Sequence, residues 1–179
     1  MLLFLGRSGT GKSYIITSLV ENYGFVESVS CTSRPIRPNE KEGIDYYFIT
    51  EEEFKNKIDN GEIYEWTCTK GNYYGTPREN IKDLSKLIID IDLVGFERIK
   101  KDFEDERIVS IYLYANDEER LRRMKRRGES QEEIEKRFKI ESEYKYESET
   151  YDFIIDTTKL TKEEVYEEVV KELKSKEII

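Results

Sequence analysis

The chain has 179 residues, a size that suits one folded domain with mobile lobes better than two independent domains. Charged residues make up 39% of the sequence and the formal net charge is −9, so a basic surface that grips a nucleic acid polymer is not expected. The sequence contains no histidine, which excludes Ser-His-Asp triads and histidine zinc sites.

The N-terminus and the cysteines bear on the cellular compartment. No apolar run reaches the roughly 20 residues that span a bilayer. Residues 1–5 lead directly into a glycine and indicate a buried strand rather than a signal peptide. Cys31 and Cys68 form no CxxC pair. These features predict a reduced, cytoplasmic protein with no membrane segment.

In the first half of the chain, extended patterns alternate with helical periodicity, and glycines or capping residues mark the boundaries. The predicted elements are a strand at 1–5, a helix at 14–23 ended by Gly24, a strand at 25–33, a strand at 46–49, a helix capped by Thr50 and ended by Gly61, and a hairpin from 63 to 74 that turns at 70–72.

The second half continues the alternation, with three more helix starts marked by capping residues. The predicted elements are a strand at 87–92, a strand at 109–114, a basic helix at 120–127 capped near Asn116, a helix after Ser130, a strand at 153–155, and a last helix after Thr161 with Val165, Val169 and Leu173 on one face. This alternation predicts an α/β fold with a mainly parallel sheet flanked by helices.

Residues 6–13 match GxxxxGK[ST] between a predicted strand and a predicted helix. Glycines let successive backbone N–H groups turn toward phosphate oxygens, and the helix adds its positive N-terminal end. The lysine reaches the β- and γ-phosphates, and the final serine hydroxyl can bind Mg²⁺. The predicted ATP-binding residues here are Gly6, Arg7, Ser8, Gly9, Thr10, Gly11, Lys12 and Ser13, with Ser13 as the metal ligand.

Residues 30–48 contain two arginines, Arg34 and Arg37, in a loop stiffened by prolines. Two guanidinium groups at this spacing form a fork for a phosphate, and the Tyr46 hydroxyl is close in sequence. Taken alone, however, this segment is better read as a solvated charged loop.

The same segment resembles the TTRxPRxGExxGxDYxF signature of the guanylate kinase family. Further segments are similar to that family's motifs in family order, over residues 1 to about 160: EW at 65–66 followed by GNYYGT at 71–76, DIDLVG at 90–95, RMKRRG at 123–128, and the later Arg137. The resemblance implies a P-loop kinase that transfers the ATP γ-phosphate to GMP with Mg²⁺. The substrates implied are GMP and ATP, with dGMP left open as an acceptor and either a monomer or a homodimer allowed.

The resemblance also implies the roles of individual residues. The GMP phosphate would be held by Arg34, Arg37, Tyr46 and Tyr74, with Glu40 orienting the arginines. The guanine would be read by Ser30, Glu65, Thr76 and Asp92, with Asp90 beside them near the metal. The catalytic residues would be Lys12, Arg34, Arg123, Arg127 and Arg137, and Asp156 would lie near the ATP adenine. The chemistry agrees, because guanine presents N1–H and N2–H₂ donors to a carboxylate such as Glu65 and an O6 acceptor to a hydroxyl such as Thr76.

The predicted layout has three parts: a core at about 1–28, 82–116 and 150–179, a GMP-binding lobe at about 29–81, and a helical lid at about 117–149. The basic helix of the lid could be only a solvated surface. Arg123 and Arg127 nevertheless share one helical face and precede a glycine, which favours a phosphate clamp that acts on closure.

The sequence departs from the family pattern at Arg7, Tyr14, Val94 and Asp156. Two alternatives remain open at this stage. One is a kinase with another phosphorylated acceptor, which Glu65, Thr76 and Asp92 disfavour. The other is a non-catalytic guanylate-kinase-like interaction module, which the intact phosphate loop and lid arginines disfavour.

Overall fold

The computed structural model describes residues 1–37, 40–69, 71–104 and 106–179, so the predicted hairpin turn at 70–72 lies partly outside it. The helices are α1 (Lys12–Tyr23), α2 (Glu51–Asp59), α3 (Leu93–Asp102), α4 (Asp117–Arg126), α5 (Gln131–Glu141) and α6 (Lys162–Ser175). The strands are β1 (Leu2–Leu5), β2 (Val26–Glu27), β3 (Cys31–Thr32), β4 (Tyr47–Phe48), β5 (Ile63–Thr69), β6 (Asn72–Pro77), β7 (Leu87–Asp90), β8 (Val109–Tyr114) and β9 (Phe153–Asp156).

Five strands form a parallel sheet in the order β2-β7-β1-β8-β9. The central strand β1 is buried along its whole length, because helices cover both faces of the sheet. The predicted α/β fold with a parallel sheet is therefore confirmed.

Alternate residues of β1 pack on opposite faces of this sheet. Leu2 and Phe4 belong to a core that includes Ile15, Ile16 and Leu19 of α1. The predicted buried face of α6, formed by Val165, Val169 and Leu173, joins the same core and is confirmed. Leu3 and Leu5 pack on the other side with Phe96 and Ile99 of α3. Truncating one of these fully buried leucines to alanine would cost about 2–5 kcal/mol of stability.

A second, mixed sheet has the order β4-β3-β6-β5, with α2 packed against it through Phe54. The prediction of one strand over 25–33 is wrong. Within that segment β2 pairs with β7 of the parallel sheet, and β3 pairs with β4 and β6 of the second sheet. The chain thus passes from one sheet to the other between residues 27 and 31. The predicted strand at 87–92 ends at Asp90, and Asp92 instead caps α3, a helix that was not predicted.

The carboxyl ends of parallel strands meet at one edge of a sheet, where ligands bind in folds of this type. Four strands end there: β1 runs into residues 6–13, β7 ends at Asp90, β8 leads to the Asn116 cap of α4, and β9 ends at Asp156. The second sheet contacts this region through β5, which packs on α3. In the described part of the chain, no helix combines the length and the apolar character needed to cross a membrane.

Candidate active site

Residues 6–13, the phosphate loop, connect β1 to α1 in a conformation that needs glycine. At Gly6, φ is +142° and a Cβ atom would lie 2.4 Å from the Leu113 carbonyl oxygen. At Gly11, φ is +102°, immediately before Lys12 begins α1. A side chain at either position would be strained, so the backbone shape depends directly on these glycines. The loop therefore lies at the positive N-terminal end of α1, as an anion site requires.

The loop is braced by its own side chains and by β9. The hydroxyl of Thr10 is buried and donates to the Arg7 carbonyl at 2.8 Å. The hydroxyl of Thr157, just after β9, donates to the Thr10 carbonyl at 3.1 Å. Arg7 contributes backbone to the loop, but its guanidinium turns away to the Glu147 carboxylate and to the Tyr144 carbonyl at 3.2 Å. The predicted loop geometry is present, while the Arg7 side chain has a structural partner.

Lys12 Nζ donates to the Gly6 carbonyl and lies 3.7 Å from Asp90 Oδ1. Burial among protein atoms raises the pKa of Asp90, and the charge of Lys12 opposes that rise. The Asp90 side chain nevertheless keeps 41% of its surface exposed to solvent. Ser13 is exposed in the first turn of α1. Asp90, predicted beside the acceptor, thus contacts the lysine of the phosphate loop.

Arg34 and Glu40 form the centre of the predicted acceptor site. Arg34 is only 7% exposed and makes two parallel hydrogen bonds to the Glu40 carboxylate, each 2.6 Å long. Arg37 binds the same carboxylate through its backbone N–H at 2.9 Å and through Nη1 at 3.4 Å. Burial alone would raise the pKa of Glu40, but the bonds from Arg34 and Arg37 outweigh it and lower that pKa. Glu40 therefore stays ionised and fixes both guanidinium groups.

Two other guanidinium groups act electrostatically on Arg37. Burial and the nearby Arg137 and Arg34 guanidinium groups lower the Arg37 pKa. The Tyr46 ring lies under Arg34, 5.1 Å from the guanidinium carbon, and meets the Tyr74 ring edge-on at 6.2 Å. The structure therefore brings together the residues predicted to hold the acceptor phosphate.

Glu65 and Asp92 form a second, acidic corner between β5 and the start of α3. Glu65 Oε1 accepts from the buried Thr76 hydroxyl at 2.6 Å. Burial raises the pKa of Glu65 to about 6; Thr76 acts against the rise and Asp92 adds to it. Asp92 Oδ1 accepts from Gly95 N–H at 2.9 Å, and its Oδ2 accepts from the Thr67 hydroxyl at 3.2 Å.

Two details differ from the predicted reading of this corner. An ionised carboxylate only accepts hydrogen bonds, so Thr76 gives its hydroxyl hydrogen to Glu65 and orients that carboxylate. The predicted donation from Thr76 to a guanine O6 is therefore not available in this conformation. Ser30 precedes β3 and joins the lobe through its carbonyl, which accepts from Tyr47 N–H at 2.9 Å.

The three predicted lid arginines occupy different environments. Arg123 lies against the phosphate loop, donating to the Gly9 carbonyl at 3.2 Å and to the Thr157 carbonyl at 2.6 Å, with its side chain 22% exposed. Arg127 is 53% exposed and shares the Glu129 carboxylate with Arg137, whose Nη1 lies 3.3 Å from it. Arg123 already borders the loop in this conformation. The expectation that Arg123 and Arg127 meet the phosphates on closure stays a prediction.

Asp156 lines a cavity of about 450 Å³ together with Tyr114, Asn116, Thr158, Lys159 and Leu160. Its carboxylate accepts from Thr158 N–H at 2.9 Å, and the hydrogen bonding to Thr158 lowers the pKa of Asp156. The cavity borders the same sheet edge as the phosphate loop, which suits the predicted place of a nucleotide base.

Sequence reasoning missed several partners of these residues. Thr67 on β5 supports Asp92, Glu119 holds Arg123 at 2.7 Å, and Glu129 holds Arg127. The only available signal was spacing, since Glu119 lies one helical turn before Arg123. Glu129 falls in a turn, where no periodicity could identify its partner.

A phosphate loop at the carboxyl edge of a parallel sheet, together with arginines fixed on a carboxylate and the Glu65–Asp92 corner, is the arrangement of a P-loop kinase of phosphorylated small molecules. Comparisons with known proteins agree. A family model described as Guanylate kinase matches residues 1–176. A guanylate kinase of Symbiobacterium thermophilum is 40% identical over 162 residues, covering 87% of this chain and 76% of the relative.

Two further relatives cover almost the whole chain. A guanylate kinase of Prochlorococcus marinus is 34% identical over 182 residues, covering 98% of this chain and 97% of the relative. The crystal structure of guanylate kinase from Anaplasma phagocytophilum is similar with a TM-score of 0.72 and 31% identity, covering 98% of this chain and 85% of that one. The chain therefore belongs to the guanylate kinase family, the ATP:GMP phosphotransferases. The resemblance seen in the sequence is confirmed.

Proposed function

We propose that the chain transfers the ATP γ-phosphate directly to the phosphate of GMP, with the residue roles set out below. The observation that carries the proposal is the pair of arginines fixed on Glu40 after β3, with the Glu65–Thr76 pair in the same sheet, beside a phosphate loop at the carboxyl edge of the parallel sheet. The phosphate loop suits a donor triphosphate, and the lobe of the second sheet suits a nucleoside monophosphate.

The acceptor phosphate would lie on Arg34 and Arg37, with Tyr46 and Tyr74 beside it. Arg34 and Arg37 share the single Glu40 carboxylate there, so a dianionic phosphate would balance the remaining positive charge. The acceptor oxygen is already ionised at neutral pH, so no general base is needed. Positioning and charge stabilisation then account for catalysis.

The guanine would lie against Glu65 and Asp92. A Glu65 carboxylate with a pKa of about 6 is ionised at neutral pH and accepts N1–H and N2–H₂ together. Thr76 orients that carboxylate, and Thr67 orients Asp92. The ribose 2′ position has no assigned partner in this scheme, so both GMP and dGMP fit it.

The donor side consists of the phosphate loop and Lys12, with the cavity at Asp156 for the adenine. Lys12 is held by the Gly6 carbonyl and Asp90, ready to exchange these partners for phosphate oxygens. Arg123 borders the loop from the outset, whereas Arg127 and Arg137 would exchange Glu129 for phosphate when the lid closes.

The residues at the loop also fit Mg²⁺. This ion prefers oxygen ligands and uses one or two protein groups together with nucleotide phosphates. Ser13 is exposed in the first turn of α1, and the Asp90 carboxylate is partly exposed to solvent. Among the described residues no cluster of three or more acidic or cysteine side chains could hold a metal alone, which agrees with such sharing. Ser13 would hold the ion with Asp90 near it, and the ion would neutralise phosphate charge.

The proposal includes small-molecule partners only, a cytoplasmic location, and either a monomer or a homodimer. The test of the reaction is to incubate the protein with GMP, Mg²⁺ and ATP labelled in its γ-phosphate. Label should appear in GDP, and EDTA should abolish it. Release of labelled inorganic phosphate without labelled GDP would contradict the proposal.

A further inference from the structure

Arg120 and Glu141 form a buried ion pair outside the residues that would grip the substrates. Arg120, on α4, is only 2% exposed, and its Nη2 donates to Oε2 of Glu141 at the end of α5, which is 15% exposed. The guanidinium stacks over the Phe138 ring at 4.3 Å. Burying two charges costs free energy unless their geometry is well satisfied, so the pair calls for a reason beyond stability.

Both members of the pair bind the backbone of one residue in the phosphate loop. Glu141 Oε1 accepts from Ser8 N–H at 2.8 Å, and Arg120 Nε donates to the Ser8 carbonyl at 2.9 Å. At the next residue, a Cβ on Gly9 would lie 3.1 Å from the Arg120 carbonyl oxygen. The loop is therefore packed directly on α4, and the backbone N–H and carbonyl of Ser8 are hydrogen-bonded to α5 and α4 respectively.

The Arg120 guanidinium has one fixed orientation. Its Nε, Nη1 and Nη2 donate to Ser8, Asp117 and Glu141 respectively, with the Asp117 bond at 2.7 Å. A lysine has no planar fork and could not reproduce these three directions. Arg120 also neutralises Glu141, which would otherwise present an unpaired negative charge to an incoming nucleotide phosphate.

We propose that Arg120 and Glu141 are positioning residues for ATP, which fix the phosphate loop at Ser8 and tie the start of α4 and the end of α5 to it. The inference rests on the proposed function, because it needs the ATP phosphates on this loop. Neither side chain touches substrate. Lid motion would then involve the segment between Arg120 and Glu141, while the phosphate loop stays fixed.

The experiment measures binding of a non-hydrolysable ATP analogue with Mg²⁺ by calorimetry, KM for ATP and for GMP, and the melting temperature. The main variant is Arg120→Met/Glu141→Leu, which replaces the pair by apolar groups and should melt at or above the native temperature. Glu141→Gln preserves side-chain volume and tests the same point if the double variant unfolds. Glu135→Ala, an exposed carboxylate on the same helix, is the matched control.

Affinity for the analogue should fall about tenfold in the double variant, the order expected when charge-assisted bonds to the loop are lost. KM for ATP should rise in parallel while KM for GMP stays within about twofold. The affinity of Glu141→Gln for the analogue should lie between those of the double variant and the native protein. The affinity of Glu135→Ala should match that of the native protein.

A folded double variant that binds the analogue as well as the native protein would overturn the proposal. An equal rise in the KM values for ATP and GMP, or a lower kcat with both KM values unchanged, would show that the pair has a structural role. Either result would also overturn the proposal. Failure of the native protein itself to bind the analogue would overturn the proposed function, and is recognised because it appears before any substitution.

Discussion

Replacing Glu65 by glutamine tests how the acceptor base is read. Glu65 is held between the Thr76 hydroxyl and the start of α3, where an added Cβ on Gly95 would lie 3.0 Å from Glu65 Oε2. The carboxylate therefore has little freedom to turn. In glutamine, one oxygen becomes an NH₂ group that faces a guanine donor instead of accepting from it.

The expected cost follows from the lost hydrogen bond. A hydrogen bond to a charged group contributes about 1.5–3 kcal/mol, and the remaining bond weakens because the acceptor is no longer charged. A loss of about 2–4 kcal/mol corresponds to a fall in kcat/KM for GMP of about 30-fold to 1,000-fold. The native protein should prefer GMP over AMP by about 10⁴-fold, since adenine leaves the carboxylate without donors.

The assay is kcat/KM for GMP and AMP in the native protein, Glu65→Gln and Thr76→Val. Thr76→Val is the matched control, because it keeps the carboxylate and removes only the hydroxyl that orients it, so GMP use should fall less than in Glu65→Gln. Comparable use of AMP and GMP by the native protein, or unchanged GMP use by Glu65→Gln, would refute the assignment of Glu65 to the base.

Three further results are expected. Lys12→Ala should lower kcat by several orders of magnitude with an unchanged melting temperature, because the lost cation stabilises transferring charge; near-normal turnover by a folded variant would exclude the phosphate-loop assignment. Arg127→Ala should lower kcat with little change in the KM for GMP, whereas Arg123→Ala should also change the KM for ATP because Arg123 borders the loop. Identical kinetic effects of the two substitutions would contradict the different roles given to Arg123 and Arg127. Finally, kcat/KM for GMP should fall as pH drops through about 6, where Glu65 gains a proton. The acceptor phosphate titrates near the same pH, so the native profile is divided by that of Glu65→Gln, and a flat ratio would contradict the role of Glu65.

The same raised pKa has a consequence for stability. The folded-state pKa of Glu65 lies above the ordinary carboxyl value of 4.5, at about 6. The group therefore favours the folded state most below pH 4.5, and this contribution is lost as pH rises through about 6. Glu65 accordingly costs stability at neutral pH, where the proposed base recognition uses its charge.

Local signals in the sequence predicted most elements well. Thr50, Ser130 and Thr161 form the expected capping boxes, because this pairing of side chain and backbone depends only on residues three apart. The phosphate loop was also predictable, because its motif depends only on residues close in sequence. Residues 25–33 show the limit: an extended pattern carries no information on which sheet a strand joins, and the chain changes sheets within that segment.

Site residues were predictable where they belong to a family motif or share a helical face. They were not predictable where they depend on contacts between residues distant in sequence. Arg120 stands in a run of charges that reads as a solvated helix, yet it is buried by Glu141, a residue 21 positions away. Thr67 similarly meets Asp92 only through the packing of β5 on α3. Helix α3 was missed although Leu93, Phe96 and Ile99 recur at helical spacing, because Asp92 was assigned to the preceding strand and not to the helix cap.

The most direct test of the central claim is ADP release from ATP and Mg²⁺ with each of GMP, AMP, CMP and UMP as acceptor. Saturable release with GMP, at least about 10³-fold higher in kcat/KM than with the other three, is the predicted result. Equal release with another monophosphate, or no release above background with GMP, would contradict the account.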